Sequence, residues 1–236
     1  MSVQQAIIAA TAVYDPLYAS VGYLLHGDGA NNGTVFTNNG PTGVAPTRSG
    51  TGIVTSTAWF EFGTASIRSP AASGNKLQFP NSDVYRGTGS NWTFETTLYR
   101  DVAGTTQVLM DGNNNATNTN GPIIYINTAN KLTLYAGAQG VDYGGGGTSI
   151  PINTLTKIAV TWDGTTLRFY VDGVLDQSAT GFTNGWGSTS GPCLFGDKNA
   201  SILQCYRGWA DETRFTRAAR YTGASYTVAT APFPNS

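Results

Sequence analysis

An all-β antiparallel sandwich with an N-terminal arm is the fold this sequence predicts, and three observations predict it. Apolar residues alternate with period two in many short segments, tight-turn dipeptides separate those segments, and helical spacing is nearly absent. The clearest segment is 92–99, where Trp92, Phe94 and Leu98 fall on one face and Thr93, Glu95 and Thr97 on the other, as a half-buried strand requires. The pattern recurs at 76–79, 123–126, 131–136, 157–162, 167–171 and 211–215. Trp162 shares a strand face with Ile158 and Val160, and Trp92 one with Phe94, so both are expected in the core. Helical spacing occurs only at 3–13, where β-branched residues oppose it, and at 216–221.

Asp163-Gly164 and Asp172-Gly173 each stand between apolar runs and supply the positive-φ residues of a tight reversal. They predict a meander of strands 157–162, 167–171 and 174–178. Segments 31–51, 111–121, 139–148 and 180–191 are rich in small polar residues and read as long loops gathered at the sheet ends. The four glycines at 144–147 read as a flexible loop. A phosphate cradle would need a following helix and, in its P-loop form, a lysine, whereas Thr148-Ser149-Ile150-Pro151 follows here.

The 236 residues suit one large sandwich or two small domains. With no internal repeat and no charged or proline-rich linker, the chain reads as an arm, 1–22, followed by one domain, 23–236. The arm carries Ile7, Ile8, Val13 and Tyr14, too few apolar residues for a core of their own. Charged residues make up 11%, against about 25% in a typical soluble domain, so the surface is wetted mainly by Thr, Asn, Ser and Gly. Thirteen basic against fourteen acidic residues leave no positive excess for a nucleic-acid partner. Apolar runs fall far short of the roughly 20 residues that cross a bilayer. The start MSVQQAIIAATAVYDP lacks the basic and apolar regions of a secretory signal. No nucleic acid and no membrane partner are expected, and a chain made in the cytoplasm would leave it inside an assembled particle.

Cys193 and Cys205 are too few for a stapled scaffold and wrongly spaced for a zinc site. If 192–196 and 204–209 pair as strands, a disulfide closing so short a loop would contribute about 3 kcal/mol. Two buried thiols are the alternative.

Several segments resemble the laminin-G-like, concanavalin A-like jelly rolls that recur in bacteriophage structural proteins. Tyr23-Leu24-Leu25-His26-Gly27-Asp28-Gly29-Ala30 resembles that group's leucine-rich first strand and "DGA" turn. Phe62-Gly63 with Ser66, then Leu77-Gln78-Phe79-Pro80, is similar to its "FG…S…L.FP" stretch, and Trp92-Thr93-Phe94-Glu95 to its "FTIE" strand. Trp162-Asp163-Gly164 through Tyr170-Val171-Asp172-Gly173 resembles its "W-D-G … Y-V-D-G" hairpin, and 208–215 stands where the family has "G.IDEVRI", with Trp209-Ala210-Asp211 departing from the usual glycine-aliphatic-aspartate. Arg220-Tyr221-Thr222 followed by Pro232-Phe233-Pro234 resembles the "ARYT … PFP" ending of phage members. The resemblance implies a concanavalin A-like jelly roll in a phage capsid or tail protein.

On a strand, carboxylates at i and i+2 or i+4 share a face, and the resembling hydrolases use an "E.D..E" strand that this chain lacks. Glu61, Glu95 and Glu212 lie on separate segments and each reads as a solvent-facing strand residue. His26, the only histidine, reads as a strand-end residue without a serine motif to serve. No catalytic, cofactor-binding or metal residue is therefore assigned. Calcium is the one cofactor weighed, because laminin-G-like and pentraxin-like domains often bind it at the rim, with Asp28, Asp111 and Asp211 as ligand candidates. For carbohydrate, Trp59, Tyr143, Trp186 and Tyr206 lie near Asn- and Gly-rich loops, Trp186 reading as the most exposed.

Two functions follow as expectations. The first is a non-enzymatic virion protein, a decoration, cement or tail-associated component that is homo-oligomeric and bound to the major capsid or tail protein. The second is an adhesin module recognising a host-surface glycan.

Overall fold

The computed structural model describes residues 14–70, 72, 74–112, 121–186, 191–196 and 204–236. Within them the chain forms two antiparallel sheets. One orders β13 (Val174–Thr180), β12 (Thr166–Val171), β11 (Leu155–Trp162), β6 (Trp92–Arg100), β15 (Arg207–Thr216), β4 (Ser66–Pro70) and β3 (Val54–Ser56), with β1 (Val21–Leu25) added against the second half of β15. The other orders β10 (Val141–Ser149), β9 (Lys131–Ala136), β8 (Pro122–Ile126), β7 (Gln107–Asp111), β14 (Cys193–Leu194), β5 (Lys76–Gln78) and β2 (Thr47–Ser49). The all-β sandwich expected from the alternation is the observed fold.

Period-two patterning builds the space between the sheets. Trp92, Phe94 and Leu98 of β6, Ile158, Val160 and Trp162 of β11, Ile124 and Ile126 of β8, and Leu132 and Leu134 of β9 all join one buried cluster. Trp162 meets Phe182 edge-on at 5.1 Å between ring centroids. The β12–β13 hairpin turns through Asp172 and Gly173 at φ 48° and 79°, the left-handed pair of a two-residue loop between Val171 and Val174. At the preceding turn Asp163 Oδ1 accepts from the amides of Thr165 and Thr166 while its other oxygen pairs with Arg168.

Two local readings change. The glycines at 144–147 are not a flexible loop but part of β10, the edge of the seven-stranded sheet. Gly146 N–H donates to Gln177 Oε1 at 3.2 Å and Thr148 N–H to Asp176 Oδ1 at 2.7 Å, so β13 of the opposite sheet stitches the sandwich edge shut. A Cβ on Gly147 would lie 1.8 Å from Asp176 Oδ2, which is why glycine stands there. Residues 216–221 are not helical: Thr93 Oγ1 donates to Ala218 O and accepts from Arg220 N, fixing them against β6. The possible helix at 3–13, with Ile7, Ile8 and Val13, lies outside the described residues. Within the arm, residues 15–22 pack on the domain: Val21 opens β1, Asp15 is 4% exposed, and Tyr14 is the large apolar side chain of the described arm that projects, at 71%.

Asp15 is buried because it completes an ion network on the outer face of the eight-stranded sheet. Arg214 of β15 stands opposite Glu95 of β6, its Nε 2.9 Å from Glu95 Oε1, and its Nη1 lies 3.0 Å from Asp15 Oδ2. Arg220 holds both Asp15 oxygens, at 3.0 and 2.7 Å, and the Tyr221 hydroxyl donates to Glu95 Oε2 at 2.6 Å. Phe233 covers Arg214, its ring centroid 3.7 Å from the guanidinium carbon. Burial alone would raise the Asp15 carboxyl, but Arg220, the Leu17 amide and Arg214 hold it below the usual aspartate value.

Trp162→Ala should destabilise the domain by about 3–5 kcal/mol, the cost of emptying a buried aromatic site. An unchanged melting temperature would remove Trp162 from the core. The Asp15 network predicts a pH dependence. Between the lowered folded pKa and the unfolded value of 3.8, the folded chain binds fewer protons, so this stability is full above that value and drains away as pH falls through the window. In urea titrations from pH 7 to pH 2, Asp15→Asn should be less stable than wild type at pH 7, with the difference shrinking as pH falls below 4. A difference that stays constant with pH would assign the loss to packing instead.

Candidate functional site

The outer face of the seven-stranded sheet carries a cleft of about 230 Å³ lined by Thr106, Ile123, Tyr125, Tyr135, Asp142 and Gln204. Its construction follows from the strand period. Ile124 and Ile126 of β8 and Leu132 and Leu134 of β9 point into the core, so Ile123, Tyr125, Thr133 and Tyr135 point outward. Register then aligns them in rows. Ile123 pairs with Tyr135 and Tyr135 with Asp142 of β10, while in the next row Tyr125 pairs with Thr133 and Thr133 with Gly144. Gln204 is attached alongside β7, its carbonyl accepting from Val108 N at 2.6 Å.

The Tyr125 hydroxyl donates to Asp142 Oδ1 at 2.8 Å. To reach β10 from β8 the side chain crosses β9, two strand spacings of about 4.8 Å each, so its ring lies along the sheet. Burial, together with the hydrogen bond to Asp142, pushes the Tyr125 phenol well above its ordinary pKa, and it remains a donor at all working pH values. Tyr125 and Tyr135 are half-buried and Asp142 is exposed. Chemically, the cleft joins apolar ring surface to a carboxylate and an amide, the combination that receives the C–H face and the hydroxyl edge of a sugar. Its volume is below the roughly 300–1,000 Å³ of pockets that enclose drug-sized ligands, so a chain would lie across it.

The aromatics singled out from the sequence are placed differently. Tyr206 is fully buried. Trp186 is not an exposed loop residue: it packs edge-on against Trp92 at 6.0 Å and against Phe215 at 5.6 Å, and its Nε1 donates to Asn184 Oδ1 at 2.9 Å. Tyr143 points inward onto Phe182, its hydroxyl bound to Gly181 O. Trp59 is half-buried, its ring stacked on Tyr99 at 5.0 Å over the opposite sheet. Tyr125 and Tyr135 lie in strands rather than loops, where period two signals both, since they alternate with Ile124, Ile126 and Leu134. Nothing in the sequence marks Thr106 or Gln204.

The glutamates are not solvent-facing. Glu95 and Glu212 are 3% and 2% exposed, because residues 57–64 and the C-terminal segment roof the outer face of the eight-stranded sheet. Glu61 pairs with Lys157 at 2.6 Å and accepts from Thr97 Oγ1, and Glu95 is held by Arg214. Glu212, at φ 49° in a β15 bulge, holds His26 Nδ1 at 2.8 Å with one oxygen and Phe233 N with the other. Burial pushes the His26 imidazole down, but Glu212 and Asn235 outweigh it and raise its pKa.

The calcium candidates are occupied by the protein and do not converge. Asp28 Oδ1 accepts from Thr64 N and Oγ1, and Asp111 lies buried in β7 of the other sheet. Asp211 accepts from the amides of Glu61, Phe62 and Glu212, yet burial still pushes its carboxyl up to about 7. Among the described residues no three His, Cys, Asp or Glu side chains gather as a metal site. Cys193 and Cys205 are both buried, and the Cys205 thiol donates to Asn75 O at 3.7 Å.

Residues 71–221 match a laminin G family model described as the concanavalin A-like lectin/glucanases superfamily. Comparison with curated proteins gave no match. Among solved structures, the binding domain of Paraclostridial Mosquitocidal Protein 1 superposes with a TM-score of 0.62 and 14% identity, over 87% of this chain and 50% of that one. Domain 4 of AbnA, a GH43 extracellular arabinanase from Geobacillus stearothermophilus solved with arabinotriose, gives 0.58 and 16% over 85% and 94%. The receptor binding domain of botulinum neurotoxin D gives 0.60 and 13% over 87% and 51%. The chain thus spans about half the length of the two toxin domains, and at these identities the likeness is one of fold. With the family model covering more than half its length, from before β5 through β13 to the start of the C-terminal segment, the chain belongs to the concanavalin A-like lectin/glucanases superfamily.

Proposed function

We propose that this protein is a non-catalytic carbohydrate-binding module and that the Tyr125–Tyr135–Asp142 cleft is its glycan site. The observation carrying the reading is the pair of half-buried tyrosines in adjacent rows of the outer strand face, with the Asp142 carboxylate beside them. The fold neighbours support it in kind: one is a domain solved with arabinotriose and two are binding or receptor-binding domains. A host-surface glycan is the ligand this reading assigns. The non-catalytic part rests on the glutamates, since Glu61, Glu95 and Glu212 are each engaged by Lys157, Arg214 and His26 rather than turned toward a cleft as a catalytic pair.

On a glycan array followed by calorimetry, wild type should bind saturably and Tyr135→Ala should lose about tenfold or more, near 1.4 kcal/mol, without a change in melting temperature. Trp186→Ala should do the reverse, lowering the melting temperature and leaving affinity alone. Binding lost in Trp186→Ala and kept in Tyr135→Ala would move the site to the sheet end.

A second reading is compatible with the first: the module is displayed on a bacteriophage particle as a decoration, cement or tail-associated protein, homo-oligomeric and bound to the major capsid or tail protein. Besides the "ARYT … PFP" ending, it is favoured by the meeting of Asp15 N with Ser236 O at 2.9 Å, which brings the arm to the same place as residue 236. An arm tethered there leaves the outer face of the seven-stranded sheet clear. Deleting 2–13 should leave the domain folded but abolish incorporation into particles, whereas deleting 2–17, which removes Asp15, should also lower stability. Particles carrying the 2–13 deletion at wild-type occupancy would rule out the arm as the attachment.

A further inference from the structure

We propose that the cleft selects by charge, accepting neutral glycans and rejecting anionic ones that carry uronate or sialate groups. This inference rests on the glycan-binding reading above and adds to it the class of sugar. The lining of Thr106, Ile123, Tyr125, Tyr135, Asp142 and Gln204 holds one ionisable group that is charged at neutral pH, and it is a carboxylate. Among the described residues no arginine, lysine or histidine lines the cleft to receive an acidic sugar.

The local hydrogen bonds sharpen the preference. Asp142 Oδ1 is taken by the Tyr125 hydroxyl, while Oδ2 has no protein partner among the described residues and faces solvent as a free acceptor. A sugar hydroxyl donates to such an oxygen; a sugar carboxylate can only oppose it. The nearest cation on the same face of β9 is Lys131, four residues from Tyr135 and so about 13 Å away along the strand. That separation exceeds the screening length of about 8 Å at physiological salt, and Lys131 Nζ is already bonded to Gly147 O. A like charge brought against Asp142 therefore goes uncompensated.

The test uses a panel of neutral cello-, manno- and galacto-oligosaccharides, each measured beside its C6-oxidised form, which differs only in carrying uronate groups. Wild type should bind the neutral member of at least one pair about tenfold or more tighter than its oxidised partner. Asp142→Asn removes the charge, so, whatever it costs neutral sugars, it should narrow the ratio of neutral to oxidised affinity to within about threefold. Equal or tighter binding of oxidised sugars by wild type would overturn the inference, as would a preference undiminished in Asp142→Asn, and both outcomes would leave the cleft a glycan site. Failure to bind any panel member, together with silence on a broad array, would instead remove the glycan-binding reading and this inference with it.

Discussion

Arg214, held between Glu95 and Asp15 on the outer face of the eight-stranded sheet, is the interaction on which the exposed surface of this protein depends. Two guanidinium groups and two carboxylates form a neutral set there, with Tyr221 on Glu95 and the Phe233 ring over Arg214. Removing one member would leave its partner buried without a counter-charge, a loss of about 3–5 kcal/mol. The network draws the N-terminal residues, β15 and the C-terminal segment together. Its cost is that this sheet face is roofed, and its carboxylates are engaged in holding the roof.

On the opposite sheet the same strand periodicity leaves Tyr125 and Tyr135 half-buried at the surface of β8 and β9. An outward tyrosine gains less from burial than an inward one, but it offers a flat apolar ring with a polar rim. Neighbouring β10 supplies Asp142, and the amides of Gly146 and Thr148 tie that strand to Gln177 and Asp176 of β13. A rigid platform of this kind loses little ordering entropy when a ligand arrives. On the proposed reading the two sheets divide the work, one holding residues 15–22 and 217–236 and the other presenting the glycan cleft.

Much of the fold was legible because it rests on local chemistry. The alternation around Trp92, the Trp162 face and the Asp172-Gly173 turn each dictate structure within a few residues. The charged residues were misread for a physical reason: a strand shows which of its faces is polar, but whether that face meets water depends on a segment more than a hundred positions away. Glu95 looked solvated until Arg214, Arg220 and Tyr221 were placed on it. The glycines at 144–147 misled similarly, since flexibility and close approach call for the same residue, and only Asp176 on the facing sheet decides between them. The cleft was half legible. Tyr125 and Tyr135 are signalled by period two, whereas their alignment with Asp142 is a matter of register, which the sequence alone does not state.

Amide and side-chain NMR mapping with a bound oligosaccharide reports both sheet faces in one experiment. If the glycan lies on the seven-stranded sheet, shifts should saturate at Tyr125, Thr133, Tyr135, Asp142 and Gln204, with Trp59, Tyr99 and Trp209 on the opposite sheet unmoved. Shifts concentrated on Trp59, Tyr99 and Trp209, with Tyr125 and Tyr135 silent, would place the site on the other sheet.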